Sequence, residues 1–235
     1  MASPHPPSPQ PFALHVSDTD IADLQARLVK TRFPDQAPDA PWAYGTDLDY
    51  LRTLVGHWRE RFDWRAWEAR LNAFPQFMVP LHGIDLHYLR VPGNGPAPKP
   101  LLLLHGWPGS VFEFVDLIPR LTDPARFGGN AADAFTVIAP SLPGYGLSFR
   151  PNQKRLGISA IADCCADLMV DVLGHKKFAA QGGDWGAHLC ANLGVRHPTK
   201  LAGIHVNLLS LRPDQPPPAN PTPQEQRYAE EMQVC

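Results

Sequence analysis

A chain of 235 residues, 44% hydrophobic and 19% charged, carries enough apolar material for one large domain with an appendage. Its formal net charge of -2 excludes an electrostatic case for binding nucleic acid or an acidic membrane surface. Four cysteines, Cys164, Cys165, Cys190 and Cys235, form no CxxC pair, which excludes a disulfide framework and a zinc pattern and points to a reducing, cytoplasmic setting for a soluble protein.

Residues 1–11 are rich in Pro and Ser, without a basic start or an apolar stretch, so they read as a disordered tail rather than a secretory signal. No run approaches the roughly 18 apolar residues of a membrane span. Residues 12–76 are predicted to form a helical arm. Ser17 with Asp20 makes a capping box before a helix that presents Ile21, Leu24 and Leu28 on one face, and Pro34 ends it. Thr46 with Asp49 makes a second box, ahead of Leu48, Leu51, Val55 and Trp58. Asp63 is placed to cap a third helix with Trp64, Trp67 and Leu71. The density of tryptophan here (Trp42, Trp58, Trp64, Trp67) is expected to anchor the arm to a larger domain.

Over residues 77–207 the periodicity changes. Residues 77–81 and 84–91 flank His82-Gly83 and read as two strands with a tight turn, His87 being a strand-surface residue. The apolar runs 101–104, 135–139, 177–181 and 201–206 read as strands. Helices are predicted after His105-Gly106-Trp107-Pro108-Gly109-Ser110, over 158–173, and after Gly186. Strands alternating with helices predict an α/β fold with a mostly parallel, doubly wound sheet. Residues 208–235 are Pro-rich, with a helix starting near Thr222.

Gly182-Gly183-Asp184-Trp185-Gly186 lies between a predicted strand and a predicted helix, the setting of a nucleophile elbow. Such a turn brings the chain back on itself, so the neighbours of the reactive residue must be small. A Gly-rich turn whose Asp caps the helix would have the same pentapeptide. As a nucleophile, Asp184 is already anionic at neutral pH and forms an ester with an electrophilic carbon. That suits epoxides and haloalkanes. It suits ordinary esters and amides poorly, because an anhydride would result.

In elbow hydrolases one oxyanion donor is the N–H after the nucleophile, and the other lies in the loop after the third strand. Counted from Phe77, that loop is His105-Gly106-Trp107-Pro108. The backbone N–H groups of Trp185 and Trp107 are therefore the expected donors. Pro108 favours an extended Trp107.

The segments 105–110, Pro140-Ser141-Leu142-Pro143-Gly144-Tyr145-Gly146 and 182–186 resemble the microsomal-type epoxide hydrolases of the α/β-hydrolase superfamily. Tyr44-Gly45, Trp58, Phe62-Asp63-Trp64 and Gly83-Ile84-Asp85-Leu86-His87 resemble that family's N-terminal segment. The resemblance covers about residues 12 to 210. It implies hydrolysis of epoxides to vicinal diols through an alkyl-enzyme ester on Asp184, with a small-molecule substrate and no cofactor or metal.

The family also uses a His that activates water, an acid that orients it, and two lid tyrosines. His188, His197 and His205 follow Asp184, but none follows a final strand, and Tyr145 and Tyr228 are not assigned as proton donors. The chain is thus expected to be an incomplete α/β-hydrolase fold lacking its last strands, able at most to alkylate Asp184 without turnover. Residues 201–206 are then expected to form an apolar sheet edge prone to self-association. A haloalkane dehalogenase and a non-catalytic remnant are the competing readings. Trp107 after His105-Gly106 and the Trp-rich arm argue against the first.

Overall fold

The computed structural model describes residues 8–38, 40–209 and 218–232. In chain order it contains β1 (Gln10–Phe12), α1 (Asp18–Val29), α2 (Leu48–Glu60), α3 (Trp64–Asn72), β2 (Gln76–Leu81), β3 (Ile84–Val91) and β4 (Lys99–Leu104). These are followed by α4 (Ile118–Thr122), β5 (Phe135–Pro140), α5 (Ile158–Asp167), β6 (Phe178–Gly182), α6 (Trp185–Arg196), β7 (Leu201–Val206) and α7 (Pro223–Met232).

The strands form one seven-stranded sheet in the order β1-β2-β3-β5-β4-β6-β7. The segment β5-β4-β6-β7 is parallel, and β1, β2 and β3 extend it with antiparallel pairings. Alternation along β4 shows how the sheet is covered. Leu102 and Leu104 join α5 and α6 on one face, with Cys164, Leu168, Leu189 and Leu193. Leu101 and Leu103 join the opposite core, with Leu14, Leu71, Phe114 and Ile118. Every one of the four is buried, as a strand covered on both faces requires. Each fully buried leucine contributes about 2 kcal/mol.

The expected disordered tail over residues 1–11 is corrected at its end. Gln10 and Pro11 belong to β1, which pairs with β2 through Gln10–Met78 and Phe12–Gln76; residues 1–7 lie outside the described ones. The arm is held by side chains bonding its backbone. Asn72 accepts from the Leu14 N–H at 2.9 Å and donates to the Leu14 carbonyl at 2.8 Å. Glu68 accepts from the Val16 N–H at 2.8 Å and from the Trp64 indole at 3.1 Å. These bonds, the Val16 N–H first, hold the Glu68 carboxyl below its ordinary range. Among the tryptophans, Trp64 packs into the core, while Trp42, Trp58 and Trp67 are exposed.

Ser17 caps α1 as expected, accepting from the Asp20 N–H, and Asp63 caps α3. The cap of α2 is Asp47, which accepts from the Tyr50 N–H, rather than Thr46. His82 and Gly83 turn β2 into β3 with positive φ at both residues, 53° and 80°, the geometry that matches strand twist in a two-residue hairpin. The predicted helix over 158–173 is α5 followed by a π-helical turn, Leu168–Val172. Asp163 on α5 takes both guanidinium bonds of Arg196, at 2.9 and 2.7 Å, and a 2.8 Å contact from His197, fixing α5 to the end of α6.

His87 is not on the surface. It is fully buried, since β5 and the loop beyond it bring Ser141 to its Nδ1 at 2.9 Å, while Gln76 Oε1 lies 3.0 Å from its Nε2. The Gln76 carbonyl oxygen can only accept, so Nε2 carries the proton and Nδ1 accepts from the Ser141 hydroxyl. Gln76 in turn donates to Asn72 at 2.8 Å, which connects this buried set to the arm.

Candidate active site

β6 ends at Gly182 and α6 begins at Trp185, so the reversal occupies two residues. Asp184 sits in it at φ 52°, ψ -124°, a conformation that an L-residue holds only where its surroundings impose it. The glycines around it do so. A Cβ on Gly182 would overlap the backbone of Gly186, one on Gly186 would overlap the Leu104 carbonyl, and one on Gly183 would overlap the Asn207 side chain. The Asp184 side chain makes no capping bond to α6, which removes the capping-turn reading of the pentapeptide.

The loop after β4 approaches from the other side. The Trp107 N–H donates to Asp184 Oδ1 at 2.7 Å. Closeness is possible because residue 106 is glycine: its Cβ would stand 2.6 Å from Asp184 Cβ and 2.8 Å from Oδ1. The Trp107–Pro108 peptide is cis. His105 is fully buried and acts as a brace. Its Nε2 accepts from the Leu142 N–H at 2.9 Å, so its Nδ1 carries the proton and donates to the Gly106 carbonyl at 2.9 Å. Burial pushes its pKa down, so the imidazole is neutral. The brace thus ties the 140–146 loop to the 105–108 loop, and the Tyr145 ring meets His105 edge-on at 5.4 Å.

The Trp107 N–H, then the Trp185 N–H, hold the Asp184 carboxyl below the usual carboxylate range, with a smaller contribution from His188. The side chain is therefore an anion at neutral pH, with the Trp107 N–H as its hydrogen-bond donor. Its charge also reaches the Tyr145 hydroxyl, whose pKa is raised mainly by burial and further by Asp184. A cavity of about 440 Å³ opens over this centre, lined by Gly106, Trp107, Pro108, Gly109, Glu113, Gly183, Asp184 and Asn207.

Glu113 and Asn207 were not singled out from the sequence. Residues 111–121 read as a continuous helix, on which Glu113 is a polar surface position. Instead, residues Val111–Phe114 form a single 3-10 turn. That turn leans the Glu113 carboxylate over Gly109, into the space a Cβ there would take. Asn207 is the first residue past β7, and its packing against Gly183 needs the sheet register to be known.

Of the histidines after the elbow, His188 is exposed on α6, His197 is engaged with Asp163, and His205 is exposed on β7. Among the described residues no group of three or more His, Cys, Asp or Glu side chains is arranged to hold a metal ion. No helix is long and apolar enough to cross a membrane, among the same residues.

Two family models match the sequence. Residues 9–114 match the epoxide hydrolase N terminus, and residues 99–233 match the alpha/beta hydrolase fold. The chain belongs to the epoxide hydrolase family of the alpha/beta hydrolase fold. A Stigmatella aurantiaca family member, named provisionally as an epoxide hydrolase, is 44% identical over 95% of this chain and 51% of its own length. Epoxide hydrolase 1 of Oryctolagus cuniculus is 38% identical over 85% of this chain and 44% of its own. Among solved structures, the juvenile hormone epoxide hydrolase of Bombyx mori superposes with a TM-score of 0.78 at 34% identity, covering 87% of this chain and 54% of that one. The Aspergillus niger epoxide hydrolase superposes with a TM-score of 0.79 at 31% identity, covering 93% and 56%. The chain spans about half the length of the curated relatives it matches.

Proposed function

We propose that this chain carries the nucleophilic centre of an epoxide hydrolase, with Asp184 opening an epoxide to form an alkyl-enzyme ester. The observation that supports it most is the 2.7 Å bond from the Trp107 N–H to Asp184 Oδ1, made across an elbow whose glycines leave the carboxylate facing a cavity. In this reading Oδ2 attacks a ring carbon, the carbon–oxygen bond of the epoxide breaks, and the released alkoxide takes a proton from solvent water. Oδ1 becomes the ester carbonyl oxygen. The Trp107 and Trp185 N–H groups then stabilise the negative charge that gathers on Oδ1 when water adds to the ester carbon. His105, Gly106, Pro108, Gly182, Gly183 and Gly186 support the geometry.

The reading includes a cytoplasmic setting, supported by the free thiols of Cys164, Cys165 and Cys190. It also includes self-association through β7, supported by the position of β7 at one end of the sheet order and the exposure of residues 202–205.

Incubation of the chain with an aryl epoxide, followed by peptide mass spectrometry, tests the proposal. One adduct on Asp184, absent in Asp184→Asn, is the expected result. Asn keeps an acceptor for the Trp107 N–H, so the variant isolates the loss of the nucleophile. Absence of the adduct in the unmodified chain overturns the reading. Halide release from a haloalkane without any epoxide adduct would assign the centre to dehalogenation instead.

A further inference from the structure

The nucleophilic step makes no use of His87, yet this buried residue grips a loop that leads to the elbow. Its N–H donates to the Ser148 hydroxyl at 2.9 Å, and its carbonyl accepts from the Ser141 N–H at 3.0 Å. Its Nδ1 accepts from the Ser141 hydroxyl at 2.9 Å. One residue thus holds both ends of the loop 141–148. The ring is fixed from behind as well. Nε2 donates to Gln76, Gln76 donates to Asn72 of the arm, and Phe12 of β1 meets the imidazole edge-on at 5.2 Å. With both nitrogens engaged, the imidazole has one orientation, and a bond lost at this depth has no bulk water to replace it.

Leu142 carries that order toward Asp184. Its N–H, next in the chain to Ser141, donates to His105 Nε2 at 2.9 Å, and His105 Nδ1 then donates to the Gly106 carbonyl at 2.9 Å. The Gly106 carbonyl and the Trp107 N–H belong to one planar trans peptide, so they point in opposite directions. Pinning the carbonyl on His105 therefore aims the N–H at Asp184 Oδ1, 2.7 Å away. Two buried histidines bracket one dipeptide, His87 at Ser141 and His105 at Leu142.

We infer that His87 is a positioning residue for the Trp107 N–H: by holding Ser141 it sets Leu142 against His105, and so orients the Gly106–Trp107 peptide toward Asp184. The inference rests on the proposed role of Asp184 for its rate readout alone, since the orientation of the peptide is observable without any reaction. The arm then contributes to the centre through Gln76 and His87, although no residue of the arm lines the cavity.

The experiment compares two side chains of nearly the same shape at position 87. His87→Asn offers Ser141 an amide oxygen close to where Nδ1 stood, and His87→Leu offers no acceptor. Ser141→Ala removes the hydroxyl with position 87 intact, and decides the matter by itself if a change at 87 prevents folding. The first readout is the backbone amide resonance of Trp107 in protein labelled with nitrogen-15 tryptophan, assigned with Trp107→Phe. Asp184→Ala marks where that resonance lies without its acceptor. The second readout is the rate of Asp184 alkylation by an aryl epoxide, from peptide mass spectrometry. In His87→Leu and Ser141→Ala the resonance is expected to move toward the Asp184→Ala mark and alkylation to slow by about 10-fold, as small misplacements of reacting groups produce. His87→Asn is expected to return both readouts toward the unmodified chain. The double variant of His87→Leu with Ser141→Ala is expected to be no slower than the slower single one, because both changes break one connection. Leu168→Ala, in the core on the other face of the sheet, costs stability without touching this path and is expected to leave the resonance in place. A Trp107 resonance unmoved in both His87→Leu and Ser141→Ala overturns the inference. So does an equal shift in Leu168→Ala. If Asp184 of the unmodified chain is never alkylated, the nucleophile reading fails, while the Trp107 resonance still decides this one.

Discussion

The Trp107 N–H and Asp184 Oδ1 lie 2.7 Å apart although 77 positions separate the two residues in sequence. Parallel pairing of β4 with β6 makes this contact possible. Leu104 pairs with Gly182, so the loop leaving one strand and the elbow leaving the other start from the same level of the sheet. Register therefore decides whether the carboxylate and its donor meet. The electrostatic consequence follows directly: an N–H aimed at the carboxylate in the resting state is also aimed at the oxygen that would gain charge in the proposed hydrolysis of an Asp184 ester.

Gly106→Ala tests that contact. Its methyl group would stand 2.6 Å from Asp184 Cβ and 2.8 Å from Oδ1, so the carboxylate must leave the Trp107 N–H. Alkylation of Asp184 by an epoxide is expected to slow by at least about 10-fold, the size of effect that small misplacements of reacting groups produce. Peptide mass spectrometry over time gives the rate, and a rate equal to that of the unmodified chain would count against the geometry.

Gly186→Ala tests the floor of the elbow. The added methyl meets the Leu104 carbonyl, which belongs to the central strand and cannot give way cheaply. The expected loss of folding stability is about 3 kcal/mol, the upper end for overpacking. Urea unfolding followed by tryptophan fluorescence measures it. A shift in midpoint close to zero would mean that α6 can move off β4.

His87 predicts a pH dependence of stability. Burial pushes its pKa down from 6.5 to about 4. The unfolded chain therefore binds the proton more readily than the folded one, and falling pH drives unfolding once it passes the unfolded value. Stability is fully present above pH 6.5, declines as pH falls toward 4, and loses no more from this residue below that. The loss is on the order of 3 kcal/mol. Denaturant unfolding at a series of pH values should show it, and His87→Asn should flatten the slope between pH 6.5 and 4 whatever its absolute stability. An unchanged slope would assign the effect to another group.

Some of this was readable before any coordinates, and the reasons differ by residue. The elbow was legible because its glycines are required by local sterics and its strand and helix carry plain periodicities. Trp107 was legible because a loop can be placed by counting strands. Gln10 and Pro11 were not, since a strand beside two prolines has no periodicity of its own and takes its register from β2. His87 alternates with apolar neighbours as a surface residue does. Its burial depends on Gln76 and Ser141, which are brought by β2 and by the end of β5. Glu113 was hidden for a conformational reason, because a 3-10 turn and a continuous α-helix point the third residue in different directions. The antiparallel pairing of β3 with β5 is likewise invisible to an alternation of strands and helices.

The backbone-lined surroundings of Asp184 divide the centre into parts that can and cannot be redesigned. Gly106, Gly182, Gly183 and Gly186 each lie against an atom that would collide with any side chain, so a mutational library at these four positions should return almost only the parental residue. The groups that line open volume around them are Trp107, Glu113 and Asn207. Mutagenesis of the cavity would begin at those three and leave the glycine lattice untouched.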